Sequence, residues 1–222
     1  MDKQIHKVLN NLKIKSILIT INNFENFLSD KKGGFEESHN LRKLWLLRGL
    51  IFKKIIDADV NIIHCDSDAF WLKNIYPLVD NLQYDISISI AYGMPKVAIR
   101  KWRFSLCNGF FMIKSNPHTK AFMKKYWDLL SKVGHDQAAM NQILLRNDIK
   151  WRKKSNIENE GYVKKLRLRV KVISDNIICR SSTRATAGVY IYHPFLVGGI
   201  EKKLKFLKEN LQKVEIKSRK AA

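Results

Sequence analysis

One junction constrains this chain more than any other feature. The stretch LRKLWLLRGLIFKKIID, residues 41–57, leads within two residues into the apolar run VNIIHC, residues 60–65, which stops on Asp66, Ser67 and Asp68. Leu41, Leu44, Trp45, Leu47, Ile51, Phe52, Ile55 and Ile56 fall near helical spacing and leave Arg42, Lys43, Lys53 and Lys54 for solvent, so the first stretch is an amphipathic helix. The second has the length and character of a buried strand. Helix, strand and polar turn in that order are the repeating unit of an α/β sheet.

The alternation continues on both sides. Residues 3–12 read as a short helix and SILITIN, residues 16–22, as a strand; a loop with Gly33 and Gly34 follows, and Ser38 is placed to cap the long helix. Downstream, DISISI (85–90) and CNGFFMIK (107–114) read as strands, with a basic loop over 91–106 between them. Asn116 and Pro117 stand in the cap-then-proline order that starts a helix, and Asp136 opens another. LRLRVKVIS, NIICR and VYIYH are further strands, and IEKKLKFLKENLQKV is a closing amphipathic helix. The expected fold is α/β, a mainly parallel sheet flanked by helices, in which ligands bind at the carboxyl ends of strands. Asp66, Asp68 and His193 all fall at such ends.

A chain of 222 residues with 45% hydrophobic and 10% aromatic residues folds, and its length suits a single domain over residues 1–222 with a basic C-terminal helix and tail. Its charge of +21 is uneven: residues 1–148 carry a net +8 and residues 149–222 a net +13. Such a field draws nucleic acid, anionic membrane surface or small phosphorylated ligands, and charge alone does not choose among them. No apolar run reaches the ~20 residues that span a bilayer, and the N-terminus lacks a signal-peptide core, so a cytoplasmic location is expected. Cys65, Cys107 and Cys179 are odd in number and lack CxxC spacing; they read as thiols, not as a disulfide frame or zinc site.

Two carboxylates two residues apart after an apolar strand can reach one divalent cation, and hard oxygen ligands suit Mg²⁺ or Mn²⁺. A bare DxD is also a common Asx turn. The surrounding strings add weight. IIDADVNIIHCDSDAFWLKNIYPLV, DISIS, CNGFFMIKSNPHTKAFMKKYW, HDQAAMNQILL and VYIYHPFLVGGIEKKLKFLKEN resemble, in order, segments of the nucleotide-diphospho-sugar transferase family, similar to plant cell-wall and algal-virus glycosyltransferases. The resemblance implies a GT-A-like fold, a nucleotide-sugar donor (UDP favoured), a glycan or glycoconjugate acceptor and Mn²⁺ or Mg²⁺. The family usually opens with a further β-strand and a nucleotide-facing loop; this chain begins at what reads as the helix after it, so the expected fold lacks the usual first strand.

By the same resemblance, Asp66 and Asp68 hold the metal with His193, and Ser67 lies with them against the donor. Gly198, Gly199 and Lys202 match the block that wraps the diphosphate, and Arg48 matches a helix residue that reaches the nucleotide. Asn108 and Gly109 fall on the acceptor side. Asp136 and Gln137 match a catalytic pair facing the reacting sugar carbon, although Asp136 is equally suited to cap its helix. Trp71 matches a family position as well, and a Trp in such an apolar stretch is usually core or cleft wall. The implied reaction is glycosyl transfer with retention of configuration. Two other readings compete: a basic nucleic-acid-binding or metal-dependent phosphoryl-transfer protein, suggested by cations interleaved with aromatics at residues 101–104, and a noncatalytic sugar- or partner-binding module.

Overall fold

The structure is a computed structural model that describes residues 36–77, 83–152, 159–180, 188–193 and residue 205, with the backbone alone for 36–40. The expected helix over 3–12, the strand over 16–22 and, apart from Lys205, the helix over 200–214 lie outside the described residues, as do Gly198, Gly199 and Lys202. Two compact units divide the chain, Met1–Lys43 and Leu44–Ala222; the sheets and the candidate site belong to the second.

In chain order the elements are α1 (Glu36–Asp57), β1 (Ile62–Cys65), β2 (Phe70–Trp71), β3 (Ile86–Ala91), α2 (Lys96–Trp102), β4 (Ser105–Ile113), α3 (Pro117–Val133) and α4 (Asp136–Arg146). Then follow β5 (Ile149–Trp151), β6 (Asn159–Val163), a 3₁₀ turn (Lys164–Leu166), β7 (Leu168–Ile173), β8 (Ile178–Cys179) and β9 (Ile191–Tyr192). Six strands form one sheet in the order β1-β4-β3-β7-β6-β5, and three short ones form a second, β2-β9-β8.

The large sheet is mixed, not mainly parallel. Among the described residues of this sheet only β3–β7 pairs parallel; β1–β4, β3–β4, β5–β6 and β6–β7 are antiparallel. Parallel neighbours need a long crossover, and β3 and β7 are the pair with α3 and α4 between them; β5, β6 and β7 follow one another through short connections and meander. α1, α3, α4 and the strands β1, β3, β4, β7, β8 and β9 were legible; α2, β2, β5, β6 and the direction in which strands return were not. The fold remains α/β and compatible with a GT-A-like arrangement.

The core lies between the sheet and its helices. α3 buries Thr119, Phe122, Met123, Tyr126, Leu129 and Leu130, a stripe at helical spacing, and strand residues such as Phe111 and Ile88 are wholly buried as well. Asn116 caps α3 as expected: its Oδ1 accepts from the amides of His118 (2.9 Å) and Thr119 (3.0 Å), and Thr119 Oγ1 accepts from its amide at 2.9 Å. Gly49 brings α1 against α3, since a Cβ there would meet Leu130 Cδ2 and come within 3.4 Å of Tyr126 Cε1. That close crossing sets the height at which Arg48 enters the site.

Three local readings are corrected. α1 begins at Glu36, so Ser38 lies inside its first turn and not ahead of it. The loop expected over 91–106 contains α2, whose Ala98 and Trp102 turn inward. Trp102 and Phe104, 6% and 3% exposed, pack on Trp151, so the aromatics interleaved with Lys101 and Arg103 belong to the core and offer no stacking face. The cysteines are free thiols, with Cys107 and Cys179 buried.

Candidate active site

The site forms where the two sheets meet. β1 ends at Cys65, and Asp66 extends the ladder by donating its amide to the Gly109 carbonyl at 2.8 Å. The chain then turns, with the Ala69 amide on the Asp66 carbonyl at 3.0 Å, and enters β2. β2 pairs with β9 in the register Phe70↔Tyr192, so His193, the next residue, returns beside the turn. Two residue pairs of antiparallel ladder thus join positions more than a hundred residues apart in sequence.

Across the site β4 bulges. Ile88 faces Phe111 and the next residue, Ser89, faces Cys107, which leaves 108–110 without partners on β3. A bulge re-aims the side chains it carries. Asn108 turns to Asp136, donating Nδ2 to Oδ2 at 2.8 Å, and Gly109 comes against the Asp-Ser-Asp turn. A Cβ on Gly109 would collide with His193 Cε1 and stand 2.6 Å from Asp66 Oδ2. The glycine is what admits both groups to one place.

Asp66, Asp68 and His193 each offer a ligand atom, all within 4.8 Å of one another. His193 Nε2 lies 3.1 Å from Asp68 Oδ1 and 4.0 Å from Asp66 Oδ2. Two carboxylates and an imidazole, on the cradle that Gly109 leaves, are a donor set that fits Mn²⁺ or Mg²⁺. Ser67 is exposed on the turn. Trp71 is 44% exposed, its Nε1 on Cys65 Sγ at 3.4 Å.

Arg48 reaches in from α1 and ties the site's halves together. Its Nη1 donates to Asp66 Oδ1 at 2.7 Å and lies 3.3 Å from His64 Nε2, while Nη2 donates to Asp136 Oδ2. Burial works against the charge of Asp66, but the hydrogen bond with His64 and the charges of Arg48, His64 and His193 outweigh it and hold its pKa below the ordinary carboxylate value. Burial pushes the His64 pKa down. Its ring packs on Phe52 and Phe111.

Asp136 is 3% exposed and is not the cap of α4; His135 is, accepting the Ala138 amide at Nδ1. As the first helical residue, Asp136 accepts the Gln137 amide on Oδ1 at 2.6 Å, and its Oδ2 takes Asn108 and Arg48. A carboxylate so occupied is held in one orientation. Gln137 donates its amide to the Met94 carbonyl at 2.7 Å and so anchors the segment before α2.

Two neighbours of this cluster were not marked in the sequence. His64 sits one pleat before Asp66, hidden in a string that reads as strand. Arg180 follows β8, which runs parallel to β9 in the register Cys179↔Tyr192, and its Nη1 donates to His193 Nδ1 at 2.5 Å. A guanidinium has no acceptor, so Nδ1 accepts, and a neutral His193 carries its proton on Nε2, facing Asp68. The signal was positional: Arg180, like Asp66 and His193, is the polar residue ending an apolar strand.

Neither the curated proteins nor the solved structures include a significant match to the chain. A family profile does match, over residues 1–207, and covers every element that builds the site. The chain belongs to the nucleotide-diphospho-sugar transferase family.

Proposed function

We propose that the protein moves a sugar from a nucleoside-diphosphate sugar, a UDP-sugar in the favoured case, to a hydroxyl of a glycan or glycoconjugate, with Mn²⁺ or Mg²⁺ at Asp66, Asp68 and His193. Family membership supports nucleotide-sugar transfer in general. The observation that carries the finer reading is the convergence of those three side chains, from the ends of β1 and β9, on the Gly109 cradle. When bound, the metal neutralises charge that grows on the leaving diphosphate. Arg48 fixes Asp66, Asn108 fixes Asp136, and Asp136 serves as a polar contact near the reacting carbon, a reading consistent with retention without making it the nucleophile. Gln137 holds the wall before α2, Asn108 and Gly109 face the acceptor, and Gly198, Gly199 and Lys202 wrap the diphosphate.

The test is melting with UDP, GDP and their sugars, with and without Mn²⁺ at fixed salt. A ligand at 100 times its Kd stabilises by about 2.7 kcal/mol, and stabilisation needing both nucleotide and metal is expected. Asp68→Ala should abolish it together with donor turnover; unchanged turnover in that variant removes the metal role.

A second reading, polyanion binding, is favoured by one surface. On the meander Lys150, Tyr162 and Arg169 stand directly opposite one another and all are exposed, with Lys171 in the next row. It is tested by RNA binding that persists without any response to nucleotide sugars.

A further inference from the structure

Arg180 stands out as a buried charge that no carboxylate among the described residues is seen to balance. It is 7% exposed, its Nε meets no acceptor, and among the described residues its hydrogen-bond partner is a neutral ring nitrogen, His193 Nδ1. Asp175, five residues earlier, accepts the Tyr92 hydroxyl on its Oδ2. Arg48, by contrast, pairs with two carboxylates. A guanidinium does not escape the cost of burial by losing its proton, and one imidazole lone pair answers little of a group with five donors. Proteins keep such a residue where its charge has work to do, and its forked N–H groups match phosphate oxygens in pairs.

We propose that Arg180 is a phosphate-binding residue that takes a phosphoryl group of the donor diphosphate beside Asp66, Asp68 and His193. The assignment rests on the donor-site reading above and adds a residue to it. The parallel register of β8 and β9 fixes Arg180 next to His193, so a diphosphate held near that cluster is within the neighbourhood of its guanidinium. One consequence separates this from a structural role. The N–H now on His193 Nδ1 cannot also serve a phosphate oxygen, and while it stays there it sets a positive charge behind the imidazole whose Nε2 faces the cation site. A phosphate that draws Arg180 away relieves that repulsion. Anion and metal therefore favour each other, by the same factor in either order.

Titration calorimetry on the full chain decides it, using MnCl₂, inorganic pyrophosphate and UDP, each alone and in sequence, with wild type, Arg180→Met and Arg180→Lys. The wild type is expected to bind Mn²⁺ about 5-fold or more tightly once pyrophosphate is present. Arg180→Met should lose about tenfold or more in UDP affinity, bind Mn²⁺ alone no more weakly than wild type, and show no coupling. Arg180→Lys, which keeps the charge without the fork, should fall between. The ligand-free Arg180→Met protein should melt at or above the wild-type temperature, because it sheds a buried charge that no described carboxylate balances. Wild-type UDP affinity in Arg180→Met overturns the proposal. So does ligand-free melting that drops in both variants, which marks a structural residue. Failure of the wild type to bind UDP, GDP or pyrophosphate with Mn²⁺ overturns the donor-site reading itself and the proposal with it.

Discussion

Gly109 shows how much of the site depends on a single missing atom. Its hydrogen is the floor on which Asp66 and His193 approach, so Gly109→Ala must push the imidazole or the carboxylate aside. Overpacking of this kind costs about 1–3 kcal/mol. The expected outcome is a lower melting temperature and loss of Mn²⁺-dependent stabilisation together; a variant that still gains stability from Mn²⁺ would show that the cradle is not the metal's seat. The titrating groups nearby give a second test at this scale. Burial places the His64 pKa below its ordinary value of 6.5, with Arg48 and His193 adding to the shift and Asp66 opposing it. Below pH 6.5 the unfolded chain then binds more protons at this residue than the folded one, so stability rises with pH and is lost as pH falls from there. His135, lowered mainly by burial, acts in the same direction, and Asp66, also lowered, extends the loss to acid pH. Melting of the ligand-free protein should decline from pH 7.5 to pH 5, and His64→Gln should make that decline shallower; an identical slope in the variant would exclude His64 as its source.

Elements differ in how plainly their sequences announce them. α3 carries its full grammar: Asn116 as cap, proline at the start, a buried stripe, and Gly134 in the left-handed conformation (φ 71°) with its amide on the Leu130 carbonyl. Asn116→Ala should therefore cost about 1 kcal/mol by denaturant titration and leave Mn²⁺ binding untouched, since α3 gives the site no ligand. The segments that complete the site carry no such signals. β2, β8 and β9 are two residues each, below any length at which alternation can be read, and become strands only by pairing with one another. VYIYH was legible as a strand and His193 as its end, but not the register that sets His193 against Asp68. Arg180 escaped notice because nothing in NIICR distinguishes a buried cation from a solvated one. The bulge at 108–110 was equally silent: CNGFFMIK reads as unbroken strand, and only the mismatch between β3 and β4 reveals where Asn108 and Gly109 turn. What the sequence disclosed were the ligand types and the strand ends; what it withheld was pairing, which long-range packing decides.

At the scale of the whole molecule the charge of +21 and the carboxylate site make opposite demands on a ligand, and salt distinguishes them. Exposed cations on the meander bind polyanions by releasing counterions, so affinity falls steeply with ionic strength. With about four phosphates neutralised on a single strand, the slope is roughly −3, a loss of about 50-fold between 50 and 200 mM salt. The side chains of the Asp66, Asp68 and His193 cluster are mostly shielded, His193 at 5% and Asp68 at 25% exposed, and partly buried charges are screened much less. Two curves are therefore expected from one protein. Binding of single-stranded RNA should be measurable at low salt, collapse by 200 mM, weaken when Lys150 and Arg169 are both changed to Glu, and be indifferent to Asp68→Ala. Stabilisation by UDP with Mn²⁺ should persist across that range, ignore the Lys150 and Arg169 changes, and disappear in Asp68→Ala. RNA that instead competes with UDP and Mn²⁺, and is lost in Asp68→Ala, would mean that one site serves both and would turn the reading from sugar transfer toward metal-dependent chemistry on nucleic acid.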